Sequence, residues 1–185
     1  MVRDLNSCNL FTNSVQLSMK KIYHTWQDVE CQTQEILRQL HADAWRPDYV
    51  VGLTRGGLVP ANLISQYLEV PMQTLKVSLR DGDENACESN LWMAEDAYEG
   101  KQILIVDDIN DSGATLNWIK EDWQSGCFPK DKRWKDVWGN NVRVAVLVDN
   151  EASKSKLNVS YSAVDLNKAE EDSWIVFPWE AWWQR

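Results

Sequence analysis

Apolar positions along this chain follow two periods that alternate. From Trp26 the residues Val29, Ile36 and Leu40 recur on one helical face, and Thr25-Trp26-Gln27-Asp28 has the form of a capping box, so the spacing predicts a helix through Leu40. A short strand over Lys21 to Tyr23 precedes it. Tyr49 to Thr54, "YVVGLT", is a short apolar run that breaks at Arg55-Gly56-Gly57 and passes into a helical pattern from about Pro60 to Tyr67. Met72 to Leu79 predicts another strand, Gln102 to Val106 a buried one, Thr115 to Trp123 a helix, and Val142 to Val148 a further strand. Strands alternating with helices predict an α/β fold with a doubly wound, mostly parallel sheet, whose ligands lie in the crevice outside the carboxyl ends of the strands.

The pattern also predicts the organisation of the chain. Residues 1–18 are polar and unpatterned, an extension expected to be poorly ordered, and a single domain is expected over 19–185. The polar excursion from Asp81 to Leu91 is longer than most connections and therefore reads as functional. The connection "CFPKDKRWKDVWGNN" and the tail from about 154 to 185 fit neither period, and the tail is expected to form a small C-terminal lobe.

Composition narrows the function. Nineteen basic against 28 acidic residues give a net charge of −9 and a pI near 4.7, which argues against nucleic acid or an anionic membrane as partner. An anionic ligand must then be held by a local site. The cysteines Cys8, Cys31, Cys87 and Cys127 are scattered without metal-site spacing, as expected of reduced thiols, and no secretory or membrane-spanning run is present, so the expected location is the cytoplasm. Most of the 11 tryptophans are expected to pack.

The chemistry concentrates in "ILIVDDINDSGATL", Ile103 to Leu116. A strand delivers Asp107 and Asp108, and the small loop from Asp111 to Thr115 opens the next helix, where backbone N–H groups and the hydroxyls of Ser112 and Thr115 suit a phosphate. Ionised carboxylates only accept hydrogen bonds and suit hydroxyl groups or a metal. A sugar phosphate satisfies both halves. The rivals fail on the same residues: the twelfth position of a calcium loop begun at Asp108 is Ile119, not glutamate, and neither a nucleoside-triphosphatase P-loop nor a G-x-G-x-x-G fingerprint is present.

"IVDDINDSGATL" resembles the phosphoribosyl-pyrophosphate signature of the type I phosphoribosyltransferases. "VGLTRGGLVPANL" (Val51 to Leu63) and "SWIVFPWE" (Ser173 to Glu180) are similar to the pyrophosphate loop and the base-binding segment of their xanthine and hypoxanthine-guanine branch. The resemblance implies the type I fold with a C-terminal hood, and magnesium-dependent transfer of a 5-phosphoribosyl group from phosphoribosyl pyrophosphate to a nucleobase. The expected base is a 6-oxopurine in purine salvage. It further implies that Asp107 and Asp108 take the ribose hydroxyls, that Asp108 contacts Mg2+, that Asp111 is the general base, and that Ser112, Gly113, Ala114 and Thr115 hold the 5-phosphate. Thr54, Arg55, Gly56 and Gly57, with a non-proline cis bond at Thr54-Arg55, are implied to hold pyrophosphate, with Ser78 and Arg80 as further contacts and 81–91 as a lid. Trp174 and the Ile175 backbone are implied to receive the base, Glu180 to assist metal or water, and a homodimer or higher homo-oligomer is expected.

One departure bears on the base. Where that branch carries a lysine after the fourth strand, this chain has Asn150 between Asp149 and Glu151, and an amide can donate or accept. Two functional classes follow. A working transferase, on a 6-oxopurine or, with Asn150 at the base, on a different base, is favoured by the complete set of Arg55, Asp107, Asp108, Asp111, Thr115 and Trp174; the alternative is a non-catalytic sensor that keeps the fold to bind a phosphoribosyl ligand or nucleotide.

Overall fold

The computed structural model describes residues 20–77, 87, 90–171, 173–180 and 182–184; the expected extension 1–18 and nearly all of the expected lid lie outside them. Strand β1 (Lys20–Tyr23) leads into α1 (Trp26–Ala42). Its capping box is present: the Thr25 hydroxyl accepts from the Asp28 N–H at 3.1 Å, and the Asp28 carboxylate accepts from the Thr25 N–H at 2.7 Å. Such a cap contributes about 1 kcal/mol and sets where the helix begins. The predicted stripe of Val29, Ile36 and Leu40 is buried, joined by Thr33 and Leu37.

Five strands form the main sheet: β2 (Tyr49–Thr54), β3 (Met72–Lys76), β4 (Ile103–Asn110), β5 (Val142–Asn150) and β6 (Tyr161–Leu166). The order is β3-β2-β4-β5-β6 and every pairing is parallel, as a doubly wound sheet requires. Helix α2 (Leu58–Leu68) and α1 cover one face, whereas α3 (Leu91–Glu99) and α4 (Ala114–Gly126) cover the other. Alternation along β4 supplies both cores. Ile103 and Ile105 pack on the α3 and α4 side, Leu104 and Val106 on the α1 and α2 side, and all are fully buried.

The chain winds from β2 to the edge strand β3 and then crosses back to β4 on the other side of β2. The winding therefore reverses between β2 and β4, and the carboxyl ends of these two strands open a crevice between them. Strand β4 runs beyond the predicted end at Val106 and carries the acid pair within its paired length, up to Asn110 opposite Asp149. Helix α3 was not predicted. Its buried face is only Met93, Ala94 and Ala97, too small a stripe to stand out beside a polar run.

The stretch from 154 onward divides in two. Strand β6 becomes an edge strand of the main sheet because Tyr161 and its neighbours pair with β5, so it is not part of a separate lobe. Strand β7 (Ser173–Val176) instead pairs in parallel with β1, and this two-stranded sheet is the hood. The tryptophan-rich connection before β5 packs as expected: Trp134 is 3 % exposed and its indole N–H donates to the Cys127 carbonyl at 2.9 Å. Among the described residues no helix is long and apolar enough to cross a membrane.

Candidate active site

The crevice between β2 and β4 is shaped by glycine. After β2 the Thr54–Arg55 peptide is cis, and Gly56 and Gly57 turn the chain into α2. A Cβ on Gly56 would lie 1.9 Å from Asp108 Oδ2, and one on Gly57 2.3 Å from the Val106 carbonyl oxygen. Only glycine lets this turn approach β4 so closely. Arg55 is thereby held, exposed, opposite the acid pair.

Local backbone bonds orient both acids. The Asp107 carboxylate accepts from the Asp108 N–H at 3.0 Å, and the Asp108 carboxylate from the Ile109 N–H at 2.9 Å. A carboxylate has about four acceptor positions, so a vicinal diol can still be received. Among the described residues no group of three or more His, Cys, Asp or Glu side chains is placed to hold a metal ion. Such a donor set fits a Mg2+ held by one or two carboxylates, water and substrate oxygens rather than a protein cage.

The anion cradle lies where α4 begins. Gly113, the N-cap, has φ +83°, and a Cβ there would meet the Ser155 backbone nitrogen at 2.3 Å. The loop after β5 buttresses this turn: the Lys154 N–H donates to the Ser112 carbonyl at 3.1 Å, and the Asn117 amide to the Lys154 carbonyl at 3.0 Å. The Ser112 hydroxyl accepts from the Ala114 N–H at 3.3 Å. The open N–H groups of the first turn of α4 and the helix dipole then favour an anion at the mouth.

The remaining wall is aromatic and comes from the hood. Trp174 is 38 % exposed, while Ile175 is buried. Phe177 and Trp179 stack with centroids 4.9 Å apart, and His24 meets the Phe177 ring edge-on at 5.3 Å. Burial holds the His24 imidazole below its ordinary pKa, against the opposing pull of the Asp28 charge and the Gln32 hydrogen bond.

A cavity of about 1300 Å³ gathers most of the expected residues: Thr54, Arg55, Gly56, Asp107, Asp108, Asp111 to Thr115, Trp174, Ile175 and Glu180 all line it. Gly57 and Asn150 do not, and Ser78 and Arg80 lie outside the described residues. Asn150 sits behind the wall, buried, as a bracket. Its amide donates to the Asp111 carbonyl at 2.8 Å and its oxygen accepts from the backbone N–H groups of Ala152 and Lys168 at 3.1 and 3.0 Å. Beside it the Asn110 amide donates to Asp149 at 2.7 Å and the Ser153 hydroxyl donates to Asn110 at 3.1 Å. Burial pushes the Asp149 carboxyl above the usual range despite the Asn110 hydrogen bond, and the nearby Asp165 charge adds to the shift.

Lys168 is the residue that sequence reasoning missed. It follows β6, only 13 % of its side chain is exposed, and its Nζ lies 2.8 Å from Asp111 Oδ1 and 6.0 Å from the Trp174 ring centroid. An ammonium thus stands between the acid of the cradle loop and the aromatic wall. Its surroundings in the sequence, "NKAEED", are polar without period, so only the fold reveals its place. Lys76, Phe177 and Trp179 also line the cavity and were not singled out.

The phosphoribosyl transferase domain family matches residues 19–185. Over 174 residues the chain is 28 % identical to a xanthine-guanine phosphoribosyltransferase from Cereibacter sphaeroides, covering 89 % of this chain and 90 % of that one. It is 21 % identical over 189 residues to xanthine phosphoribosyltransferase 1 of Saccharomyces cerevisiae, covering 88 % and 90 % of the two chains. Among solved structures, a purine phosphoribosyltransferase from Pyrococcus horikoshii superposes with a TM-score of 0.62 at 26 % identity, covering 88 % of this chain and 95 % of that one. With a β2–β4 crevice that unites acid pair, anion cradle and aromatic wall, and with this match across its length, the chain belongs to the phosphoribosyl transferase domain family and is a phosphoribosyltransferase of the xanthine/hypoxanthine-guanine-like branch.

Proposed function

We propose that the protein transfers the 5-phosphoribosyl group of phosphoribosyl pyrophosphate to a 6-oxopurine and releases pyrophosphate. The observation that carries the choice of base is the Lys168 ammonium between Asp111 and Trp174. An ammonium offers three donors and no acceptor, so it favours a carbonyl oxygen over an amino group on a ring stacked against Trp174. The similar relatives named for xanthine and guanine support the same class.

In this reading the 5-phosphate rests on the first turn of α4, the ribose hydroxyls on Asp107 and Asp108, and the pyrophosphate near Arg55 and the Gly56 backbone. The bond from the anomeric carbon to pyrophosphate oxygen breaks as that carbon bonds a purine nitrogen, and the proton on that nitrogen passes to the Asp111 carboxylate. Arg55 offsets charge building on the leaving group, and the aromatic wall keeps water from the cationic ribose. Asp108, with Asp107 beside it, would hold Mg2+, which neutralises pyrophosphate charge when bound. Base entry moves the Lys168 ammonium from Asp111 to the purine carbonyl and releases the carboxylate for the proton.

The test is pyrophosphate release from phosphoribosyl pyrophosphate and Mg2+ with hypoxanthine, guanine, xanthine or adenine. Turnover with 6-oxopurines and not adenine is the expected result; turnover with adenine alone overturns the proposed base, and none with any base overturns the transfer.

A further inference from the structure

Beyond the reaction cavity a second pocket of about 500 Å³ opens between α4, the connection that follows it and the loop after β5, and it shares no lining residue with the first. Lys120, Lys130, Lys135 and Lys156 stand around it, and its wall includes Trp134 and Trp138. In a chain of net charge −9 this gathers four of 19 basic residues at one concavity.

Its hydrogen-bonding balance is one-sided. The Asp131 carboxylate at its edge is already engaged, accepting from the Tyr98 hydroxyl and the Arg133 N–H, each at 2.8 Å. Lys120 donates to the Lys156 carbonyl at 3.1 Å and Lys156 pairs with Glu121 at 2.6 Å, but each ammonium has three donors. Lys130 and Lys135 have no side-chain hydrogen bond or ion pair among the described residues. Beneath the wall, Trp138 stacks near Trp123 and Trp134 with centroids 5.6 and 6.0 Å away, and the indole N–H groups of Trp138 and Trp123 are buried without an acceptor among the described residues. Those two groups are closed to solvent, so the donors that the pocket itself offers are the four ammonium groups.

We infer that this pocket is a second ligand site, for a nucleotide: phosphates among Lys130, Lys135 and their two neighbours, and a planar base along Trp138. The volume lies within the range of small-molecule sites. A polyanion alone would leave the tryptophan wall unused. Neither the concave shape of the pocket nor the chain's net charge of −9 suits an extended nucleic acid. Helix α4 serves both cavities: its first turn, from Ala114, opens on the reaction site, and Lys120 lies six residues on, about 9 Å along the axis.

Isothermal titration with GTP, and separately with ATP, tests the site on the full chain. The expected result is a binding event dependent on Lys130 and Lys135, weakened at least about tenfold in K130E/K135E, while the phosphoribosyl-transfer kcat/KM of that variant stays at the wild-type value. K130Q/K135Q, checked by thermal melting, repeats the measurement should charge reversal disturb folding. Unchanged affinity and stoichiometry in both variants for both nucleotides overturns the site. Inorganic triphosphate binding there as tightly as the nucleotides overturns the role of the base. Because the titration reads binding alone, failure of the transfer assay leaves its outcome intact.

Discussion

The Lys168 ammonium lies 2.8 Å from the Asp111 carboxylate, tying the connection between β6 and β7 to the loop at the head of α4. Lys168→Met keeps the length of the side chain and removes its donors. The expected result is a fall in kcat/KM for a 6-oxopurine of about 10- to 100-fold, the worth of one hydrogen bond to a charged donor, with the KM for the donor nearly unchanged. Steady-state kinetics with both substrates varied reads this, and an unchanged value for the base would remove Lys168 from recognition.

Asp111→Asn keeps the shape of the loop and abolishes the proton acceptor. Turnover should fall by about 10²-fold or more, as for loss of a general base, while donor affinity holds. Equal losses in kcat and in donor affinity would make Asp111 a binding group instead.

Asn150→Ala removes a buried bracket with three hydrogen bonds. Chemical denaturation should show a loss of about 1–3 kcal/mol, the cost of leaving buried partners unsatisfied, together with weaker base binding as Asp111 and the Lys168 backbone loosen. Full stability with an altered base preference would instead place the amide on the base.

Gly57→Ala forces a methyl group against the Val106 carbonyl, whereas Gly100, at φ +96°, has nothing within 4 Å of its Cβ position. The first substitution should cost about 1–3 kcal/mol by overpacking and also depress activity; the second should cost about 1 kcal/mol through backbone conformation alone and spare activity. Thermal melts and turnover assays of the two variants separate these effects.

His24 is buried against Phe177 and titrates below its ordinary value of 6.5. The folded state resists a proton that the unfolded chain accepts, so its contribution to stability is complete above that value and declines as pH falls toward the folded pKa. His24→Gln should lose less of its urea midpoint than the wild type between about pH 7.5 and 5. An identical decline in both would show that His24 does not carry this dependence.

The side of the cavity built by β2, β4 and the head of α4 was legible because its signals are local. Strand β2, the glycine turn, the acid pair and the cradle loop are each contiguous, and each element announces its period or its turn residues. The aromatic side was legible only in "SWIVFPWE". Lys168 reaches the cavity through the parallel placement of β6 beside β5, and Asn150 is turned away by contacts with residues distant in the chain. Neither placement leaves a trace in spacing. The division of the tail between main sheet and hood was hidden for the same reason, since β6 is short and only half-buried.

The pairing of β1 with β7 sets Lys20 beside Ser173 and Trp174 beside Lys21. The aromatic wall is therefore a late product of synthesis: the crevice between β2 and β4 can close while the ribosome is still working, but β1 has no partner strand until the hundred and more residues between it and β7 have emerged, and Trp174 comes only with that partner. A nascent chain would complete the β2–β4 side of the cavity before its aromatic side.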